Sequence, residues 1–118
     1  MHDYRNLVAY RLAAELAAAV HTQTATWPAF ERWTIGKQLV RAAGSIGANI
    51  AEAEGRFQPR DRRRFLFIAR GSLNETRHWL ELARRQQLAI GSAEGCLDEL
   101  GKTLNGLIRN ARTLASSS

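Results

Sequence analysis

The sequence predicts an all-α protein, an antiparallel up-down four-helix bundle, and three observations support that fold class. Apolar residues recur at steps of three and four in four separate segments, as they do on one face of a helix. Few β-branched residues alternate with polar ones, and the only prolines, Pro28 and Pro59, fall between segments. Short connections between four such helices favour antiparallel neighbours. The chain of 118 residues suits one domain, which we place at 1–115, with 116–118 as a frayed tail.

The first two helices are predicted over about 4–24 and 29–55, on either side of a turn that contains Trp27 and Pro28. Alanines dominate the first helix and favour helical backbone. The core face predicted for it consists of Val8, Leu12, Leu16, Ala19 and Gln23. The core stripe predicted for the second helix consists of Ile35, Leu39, Ala42, Ala43, Ile46, Ile50 and Ala53.

The second helix carries another face of small or apolar side chains. At about 100° per residue, that face consists of Trp33, Val40, Gly44, Gly47, Ala48 and Ala51. A glycine inside a helix costs roughly 1 kcal/mol relative to alanine, so these glycines indicate the close approach of another backbone. The helix is therefore expected to be buried on two sides, either within the bundle or across a contact between subunits.

The third and fourth helices are predicted over about 60–87 and 93–114. The core side of the third is expected to consist of Phe65, Ile68, Ala69, Ser72, Thr76, Trp79, Leu80 and Ala83, widened by Leu66 and Leu73. That of the fourth is expected to consist of Leu97, Leu100, Leu104, Leu107, Ile108, Ala111 and Leu114. The apolar surface of the second and third helices exceeds what one bundle core needs, which predicts a ring-like homo-oligomer.

Arginine supplies almost all of the positive charge. The formal net charge is +6, and fifteen of the 17 basic residues are arginines, a balance that favours anionic partners such as nucleic acid. Five arginines and one aspartate lie in residues 56–64, a local net charge of +4 at the junction of the second and third helices. We expect phosphate contacts from Arg56, Arg60, Arg62, Arg63 and Arg64, with help from Arg70 and Arg77.

The same arginines also have a structural interpretation. Glu52, Glu75 and Glu81 lie within reach of several of them, so part of the charge can be paired on a solvated face. A seven-residue repeat extends the basic end into a stripe that consists of Arg63, Arg70, Arg77 and Arg84. Phe67, on this polar side, is expected either to stack on an unpaired base or to contact another subunit.

The chain lacks recognisable motifs for catalysis or metal binding. Glu75 and His78 form a Glu-x-x-His pair, but a di-iron bundle site needs a second such pair, and neither His2 nor His21 provides it. The single cysteine, Cys96, excludes an internal disulfide and fits a reducing cytoplasm. No apolar run is long enough to span a bilayer. We therefore expect a non-catalytic cytoplasmic protein with no metal, cofactor or membrane partner.

Two runs of sequence resemble a small bacterial family of four-helix-bundle proteins. They are QLVRAAGSIGANIAEAEGR at 38–56 and FLFIARGSLNETRHWLELA at 65–83, accompanied by YRNLVAYRLA and WPAFERW. The family includes proteins encoded within 23S ribosomal RNA intervening sequences and the accessory protein of diversity-generating retroelements. The resemblance implies a four-helix protomer, a homopentamer, and either nucleic-acid binding or a reverse-transcriptase partner. Ala53 departs from the family's usual glycine, which puts the presentation of the basic connection in doubt.

Four polar residues within those runs, Arg41, Asn49, Glu52 and Glu75, are expected to form a network that fixes helix register, because buried polar groups must pair and none of the four adjoins a nucleophile. Two functions then follow from the sequence. The first is an oligomeric bundle that binds RNA, or an RNA-containing complex, through phosphate contacts. The alternative is a protein-interaction scaffold, for example for a reverse transcriptase, with no direct nucleic-acid role.

Overall fold

Helices make up all of the regular structure in the residues that the computed structural model describes, which are Tyr4 and 7–117, with backbone alone from 112 onward. Helix α1 spans Val8–Thr24, and α2 runs without a break through Ala29–Glu31, Arg32–Gly36 and Lys37–Glu54. Helix α3 spans Pro59–Arg85. A short 3-10 turn, Ala93–Cys96, leads into α4, Leu97–Ser117. The described part of the chain is therefore all-α with four helices, as predicted.

The helix boundaries differ from the predicted ones at a few places. Helix α1 begins late because Leu7 has extended backbone, with φ −71° and ψ 135°, and residues 5 and 6 of the predicted helix lie outside the described part. One turn of α2, Arg32–Gly36, is a wider π-helical turn. Helix α4 continues to Ser117, so the backbone at 116 and 117 is helical, and the last residue of the expected frayed tail lies outside the described residues.

Each helix packs against two others, so that the four close around one core. Helices α1 and α3 both contact α2 and α4, and the molecule measures 51 × 22 × 21 Å. The stripe predicted for α2 is buried from Leu39 to Ala53, and Ile35 packs against it half-buried. The described part of the α4 face is buried at Leu97, Leu100, Leu104, Ile108 and Ala111. The side chain of Leu114 lies outside the described part.

The face of α1 that enters the core differs from the predicted one. Val8 is 55% exposed, and the buried positions are Ala9, Ala13, Leu16, Val20 and Thr24. In a helix so rich in alanine, two adjacent faces have equally regular spacing and similar hydrophobicity. Close packing against α2 selects one of them, since a β-carbon added at Gly47 would lie 3.6 Å from the β-carbon of Ala13.

The core face of α3 is also rotated from the predicted one. Ile68, predicted in the core, is 42% exposed, and Phe65, Ser72 and Trp79 are half-buried. The buried positions are Leu66, Ala69, Leu73, Thr76, Leu80 and Ala83. These alternate steps of three and four, so the centre of the face lies on the leucines that the sequence places only at its edge.

A buried tryptophan links two connections at one end of the bundle. Trp27, between α1 and α2, is 4% exposed, and its Nε1 donates a 2.7 Å hydrogen bond to the carbonyl oxygen of Ala89. Ala89 belongs to the connection between α3 and α4, where Gly91 has a φ of +53° and lies so close to Gln23 that an added β-carbon would meet it at 2.5 Å. The two connections therefore hold each other in place. Periodicity does not reveal this link, because Trp27 lies outside every helix.

We expect Trp27→Ala to lower the free energy of unfolding by about 3–5 kcal/mol, the usual cost of removing a large buried aromatic side chain. Trp27→Phe should cost about 1–3 kcal/mol, because the Ala89 carbonyl loses its donor. Chemical denaturation followed by circular dichroism measures both changes. The control is Phe30→Leu, at a site that is 75% exposed, where we expect a change of about 0.5 kcal/mol or less. Equal losses in the three variants would contradict this role for Trp27.

Candidate nucleic-acid interface

The end of α2 and the start of α3 bring the arginine-rich segment to one end of the bundle. We call it the arginine corner, and it consists of Arg56, Arg60, Arg62, Arg63 and Arg64. Helix α2 ends where the Gly55 amide donates back to the Ala51 and Glu52 carbonyl oxygens, at 3.2 and 3.1 Å. Helix α3 begins at Pro59, whose fixed φ and missing N–H suit a first turn. Only residues 55–58 connect the two helices, so the five side chains project from a short stretch of backbone.

Two arginines of the corner are tied to acidic and aromatic neighbours. The Asp61 carboxylate accepts hydrogen bonds from Arg64 at 2.8 and 3.2 Å. Arg56 lies 3.8 Å from Asp61 and 2.9 Å from the Glu52 carboxylate. Both guanidinium groups stack over the Phe65 ring, at 4.6 and 4.5 Å from its centroid. Exposed pairs of this kind add little stability, but they fix the positions of these two cations.

Arg62 turns toward the backbone of the connection. Its Nη2 donates to the carbonyl oxygen of Arg56 at 3.4 Å, and the side chain is only partly exposed. Its Nε is buried and makes no hydrogen bond with any described residue. Arg62 therefore supports the connection that precedes α3 and presents less of its charge to solvent than its neighbours do.

Arg60 and Arg63 differ from the other three arginines of the corner. Neither makes a hydrogen bond or an ion pair with any residue in the described part of the chain. Together with Arg64 they border a shallow depression of about 490 Å³ whose remaining lining is Phe67 and Ile68. The depression thus combines an apolar floor with two cations, Arg60 and Arg63, that have no partner among the described residues, and such cations are available to anionic ligands.

Arg70, further along α3, is partly engaged. Its guanidinium lies 4.8 Å from the centroid of the Phe67 ring, and its Nη1 donates to the Asn105 side chain on α4 at 3.3 Å. Phe67, predicted on the polar side, is half-buried and packs against the core. One side of this ring is therefore covered by Arg70, and its availability to a base is reduced.

The rest of the predicted basic stripe is paired within the protomer. Arg77 of α3 donates to Asp98 of α4 at 3.3 Å and to the Leu97 carbonyl oxygen at 3.1 Å. Arg84 pairs with Glu81 and lies 3.8 Å from Glu94. The hydrogen bond from Arg84, reinforced by Arg85, holds the pKa of Glu81 below its usual value. These arginines connect helices, as the structural interpretation expects, and carry less uncompensated charge than the corner does.

The four polar residues predicted as one network lie in three separate groups. Arg41 pairs with Glu75, which also accepts a 3.2 Å hydrogen bond from the indole of Trp79. Asn49 donates to the backbone and side chain of Ser45 at 2.8 and 3.0 Å, and the Ser72 hydroxyl lies 2.9 Å from that of Ser45. The third group is the pair of Glu52 and Arg56. The first two groups bridge α2 and α3 directly.

Sequence reasoning overlooked one residue that lies beside the arginine corner in the chain. Phe57, in the connection between α2 and α3, is 93% exposed. It belongs to no periodic face, so an analysis of helical periodicity gives it no role. The signal that the sequence does offer is its position between Arg56 and Arg60.

The second apolar face predicted on α2 is exposed in part, because Gly47 and Ala51 of that face are half-buried. This α1–α2 face consists of Trp33, Val40, Gly44 and Ala48 of α2 with Ala14 and Ala17 of α1. Two hollows of about 310 and 470 Å³ lie along it. A β-carbon added at Gly44 would have no neighbouring atom within 4 Å. Burial within the bundle, one of the two explanations offered for the glycines, therefore does not apply to Gly44.

Other chemistry has little support in the described residues. They contain no group of three or more His, Cys, Asp or Glu side chains that could hold a metal ion. Glu75, the acid of the Glu-x-x-His pair, is engaged with Arg41. Across the described part of the chain, no helix has both the length and the apolar content needed to cross a membrane. Partial burial raises the pKa of the Cys96 thiol, which disfavours the nucleophilic thiolate.

Comparison with known proteins places the chain in a family. The family model described as 23S rRNA-intervening sequence protein matches residues 5–107. The chain belongs to this family. Among solved structures, it is similar to a protein of unknown function from the S23 ribosomal protein family of Bacteroides thetaiotaomicron VPI-5482, with 24% identity and a TM-score of 0.60. The match covers 92% of this chain and 98% of that one, and at this identity it supports the fold alone. No curated protein matches the sequence.

The raised pKa of Cys96 has a measurable consequence. Because the thiolate is the reacting form, we expect iodoacetamide to alkylate Cys96 in the folded protein at pH 8 more slowly than it alkylates the same protein in urea. Mass spectrometry over time gives both rates. The folded rate should rise as pH increases toward the raised pKa. A folded rate equal to the unfolded rate at pH 8 would contradict the effect of burial.

Proposed function

We propose that this member of the 23S rRNA-intervening sequence protein family is a non-catalytic, oligomeric helical bundle that binds RNA, or an RNA-containing complex, through phosphate contacts from the arginine corner. The observation that carries the proposal is the pair of unpartnered cations, Arg60 and Arg63, beside an apolar depression. The description of the family, which ties it to a ribosomal RNA sequence, adds support. A lone cysteine fits the reducing cytoplasm, where RNA is abundant.

The contributions of the seven predicted arginines differ under this proposal. Arg60 and Arg63 contact phosphates directly, and Arg56 and Arg64 contribute from fixed positions on Phe65. Arg62 and Arg70 mainly contact other groups of the protein, and Arg77 connects α3 to α4. Phosphate contacts of this kind carry no sequence information, so we expect little sequence preference and a steep dependence on salt.

We also infer the antiparallel up-down arrangement of the four helices. Two sets of contacts support it. Between α2 and α3, Ser45 meets Ser72 while the earlier Arg41 meets the later Glu75. Between α3 and α4, Arg70 meets Asn105 while the later Arg77 meets the earlier Asp98. In each pair the numbering rises along one helix as it falls along the other, which is the pattern of antiparallel neighbours.

The exposed α1–α2 face supports assembly into a homo-oligomer. It places Trp33 and Val40 in solvent beside a row of alanines and glycine, and an apolar patch of this kind is typical of a protein–protein contact. We propose that copies of this chain associate through this face into a ring, with five subunits as the family resemblance implies. Small residues there allow the backbones of two helices to approach closely.

The alternative function is a protein-interaction scaffold, for example for a reverse transcriptase, without direct contact to nucleic acid. Two observations favour it: the exposed α1–α2 face, and the pairing of Arg41, Arg77 and Arg84 with acids of the same chain. In this case the arginine corner binds an acidic protein surface. The arginine variants that test RNA binding also separate the two functions, because only the RNA-binding function predicts that they lower the affinity for RNA.

Removal of the unpartnered cations should weaken RNA binding. We expect Arg60→Gln combined with Arg63→Gln to lower the affinity for a structured RNA about tenfold or more at low salt, and to reduce the slope of log K against log salt by about 1 per arginine. Filter binding at rising salt measures both. The matched control is Arg84→Gln with Arg85→Gln, which removes the same charge at the other end of α3 and should have a small effect. Equal losses in both variants, or a flat salt curve for the unmodified protein, would contradict RNA binding at the corner.

A charge placed on the α1–α2 face should prevent assembly. We expect Ala48→Arg to yield single subunits in light scattering, because a guanidinium buried between two apolar faces has no partner. The matched control is Asn110→Arg, which adds the same charge at an exposed position on α4 and should leave the oligomer intact. Persistence of the oligomer in Ala48→Arg would mean that copies associate elsewhere, and a single subunit before any substitution would contradict assembly itself.

A further inference from the structure

Phe57 differs from the other phenylalanines of the arginine-rich segment. Phe65 carries two guanidinium groups over its ring and Phe67 carries one. Phe57 is 93% exposed, and no ring stacking or cation contact occupies it among the described residues. Isolated exposed aromatic residues are ordinary on protein surfaces. Exposure alone therefore does not indicate a function for Phe57, and its neighbours must be considered.

The backbone on both sides of Phe57 is held by hydrogen bonds. The Arg56 amide donates to the Ala53 carbonyl oxygen at 3.2 Å, and the Arg62 amide donates to that of Gln58 at 2.9 Å. The Arg62 side chain reaches the Arg56 carbonyl oxygen at 3.4 Å. Pro59 lies two residues after Phe57. The ring is therefore presented from a short connection with little freedom, and a pre-positioned group loses less entropy when it binds a ligand.

Cations lie on both sides of the ring along the chain. Arg56 precedes it directly, and Arg60 follows three residues later, so the Cα atom of each arginine lies within about 11 Å of that of Phe57. Arg60 has no partner in the described part of the chain. A flat aromatic surface beside an unpaired guanidinium group suits a ligand that has a flat ring and a phosphate in each repeating unit, which is a single strand of nucleic acid.

We propose that Phe57 is a stacking platform for an unpaired base of RNA, with Arg60 and Arg63 on the phosphates of the same strand. This inference rests on the proposed RNA binding and adds a preference to it. Bases within a duplex are stacked on one another and closed to side chains, whereas those in loops, bulges and single strands are open. The protein should therefore favour unpaired segments, with little regard to which base is present, because every base has an aromatic face.

The test compares Phe57→Leu and Phe57→Tyr by fluorescence anisotropy, with a labelled 12-nucleotide single-stranded RNA and a 12-base-pair RNA duplex. Leucine keeps the position apolar but removes the aromatic face, while tyrosine restores that face. We expect Phe57→Leu to bind the single strand about tenfold more weakly and the duplex with unchanged affinity. Phe57→Tyr should bind both RNAs as the unmodified protein does.

Three outcomes would overturn the inference: an unchanged single-strand affinity in Phe57→Leu, an equal loss for both RNAs, or failure of Phe57→Tyr to recover binding. If these occur while the Arg60 and Arg63 substitutions still weaken binding, the proposed phosphate contacts stand and the stacking role alone fails. If the unmodified protein binds neither RNA at low salt, RNA binding itself fails. Thermal unfolding of the variants provides the folding check, and at so exposed a site we expect no change.

Discussion

The packing of α2 against α3 determines where every other feature of the molecule lies. Helix α2 buries a stripe of leucine, isoleucine and alanine, and α3 buries one of leucine and alanine with Thr76. The hydroxyls of Ser45 and Ser72 are in contact between the two helices. A helix displaced by one turn moves its residues by about 5.4 Å along the axis, which would separate these hydroxyls and part Arg41 from Glu75. The polar contacts on this apolar seam are therefore made in one register of the two helices. In that register the connection of residues 55–58 brings the arginines around it to one end of the bundle.

The distribution of ion pairs explains how a chain with a net charge of +6 concentrates its positive field. Along the middle and far end of α3, arginines meet carboxylates of the same helix or of α4, as Arg77 and Arg84 do. At the start of α3, Asp61 pairs with both Arg56 and Arg64, and Glu52 of α2 also pairs with Arg56. Arg60 and Arg63 have no hydrogen bond or ion pair among the described residues. Most of the α3 arginines without an ion pair thus lie at the start of that helix, and local excess charge governs the attraction of a polyanion more than the total does.

The sequence predicted those features that depend on local spacing. Helices α2 and α4 carry large aliphatic side chains at regular steps, so their buried faces could be named in advance. The buried face of α1 could not be named in advance, because six of its 17 residues are alanines. Small side chains of this kind leave neighbouring faces equivalent until α2 is packed beside them. The location of the arginine corner followed from the point where two predicted helices meet. The sequence did not predict which arginines lack a partner, because the partners of Arg70 and Arg77 lie on another helix.

Helical periodicity also failed to predict how the aromatic residues are placed. Helical periodicity singled out Phe67, but the contact with Arg70 and the core leaves it half-buried. Phe57 lies between helices, where periodicity assigns no direction to a side chain, and its exposure could be read only from the structure. The role of Trp27 could not be predicted from the sequence for a related reason, because its partner Ala89 is 62 residues away in the chain.

The two proposed properties, assembly and RNA binding, depend on each other energetically. One arginine corner offers few phosphate contacts, and each contact loses strength as salt rises, so a single corner binds weakly at physiological ionic strength. In a ring with identical subunits, every corner lies at the same height around one rim. A strand held by one corner then meets the next as a linked site, with an effective concentration set by the distance between subunits. Under the two proposals, assembly through the exposed apolar α1–α2 face is thus what would allow a small number of arginines to hold a polyanion.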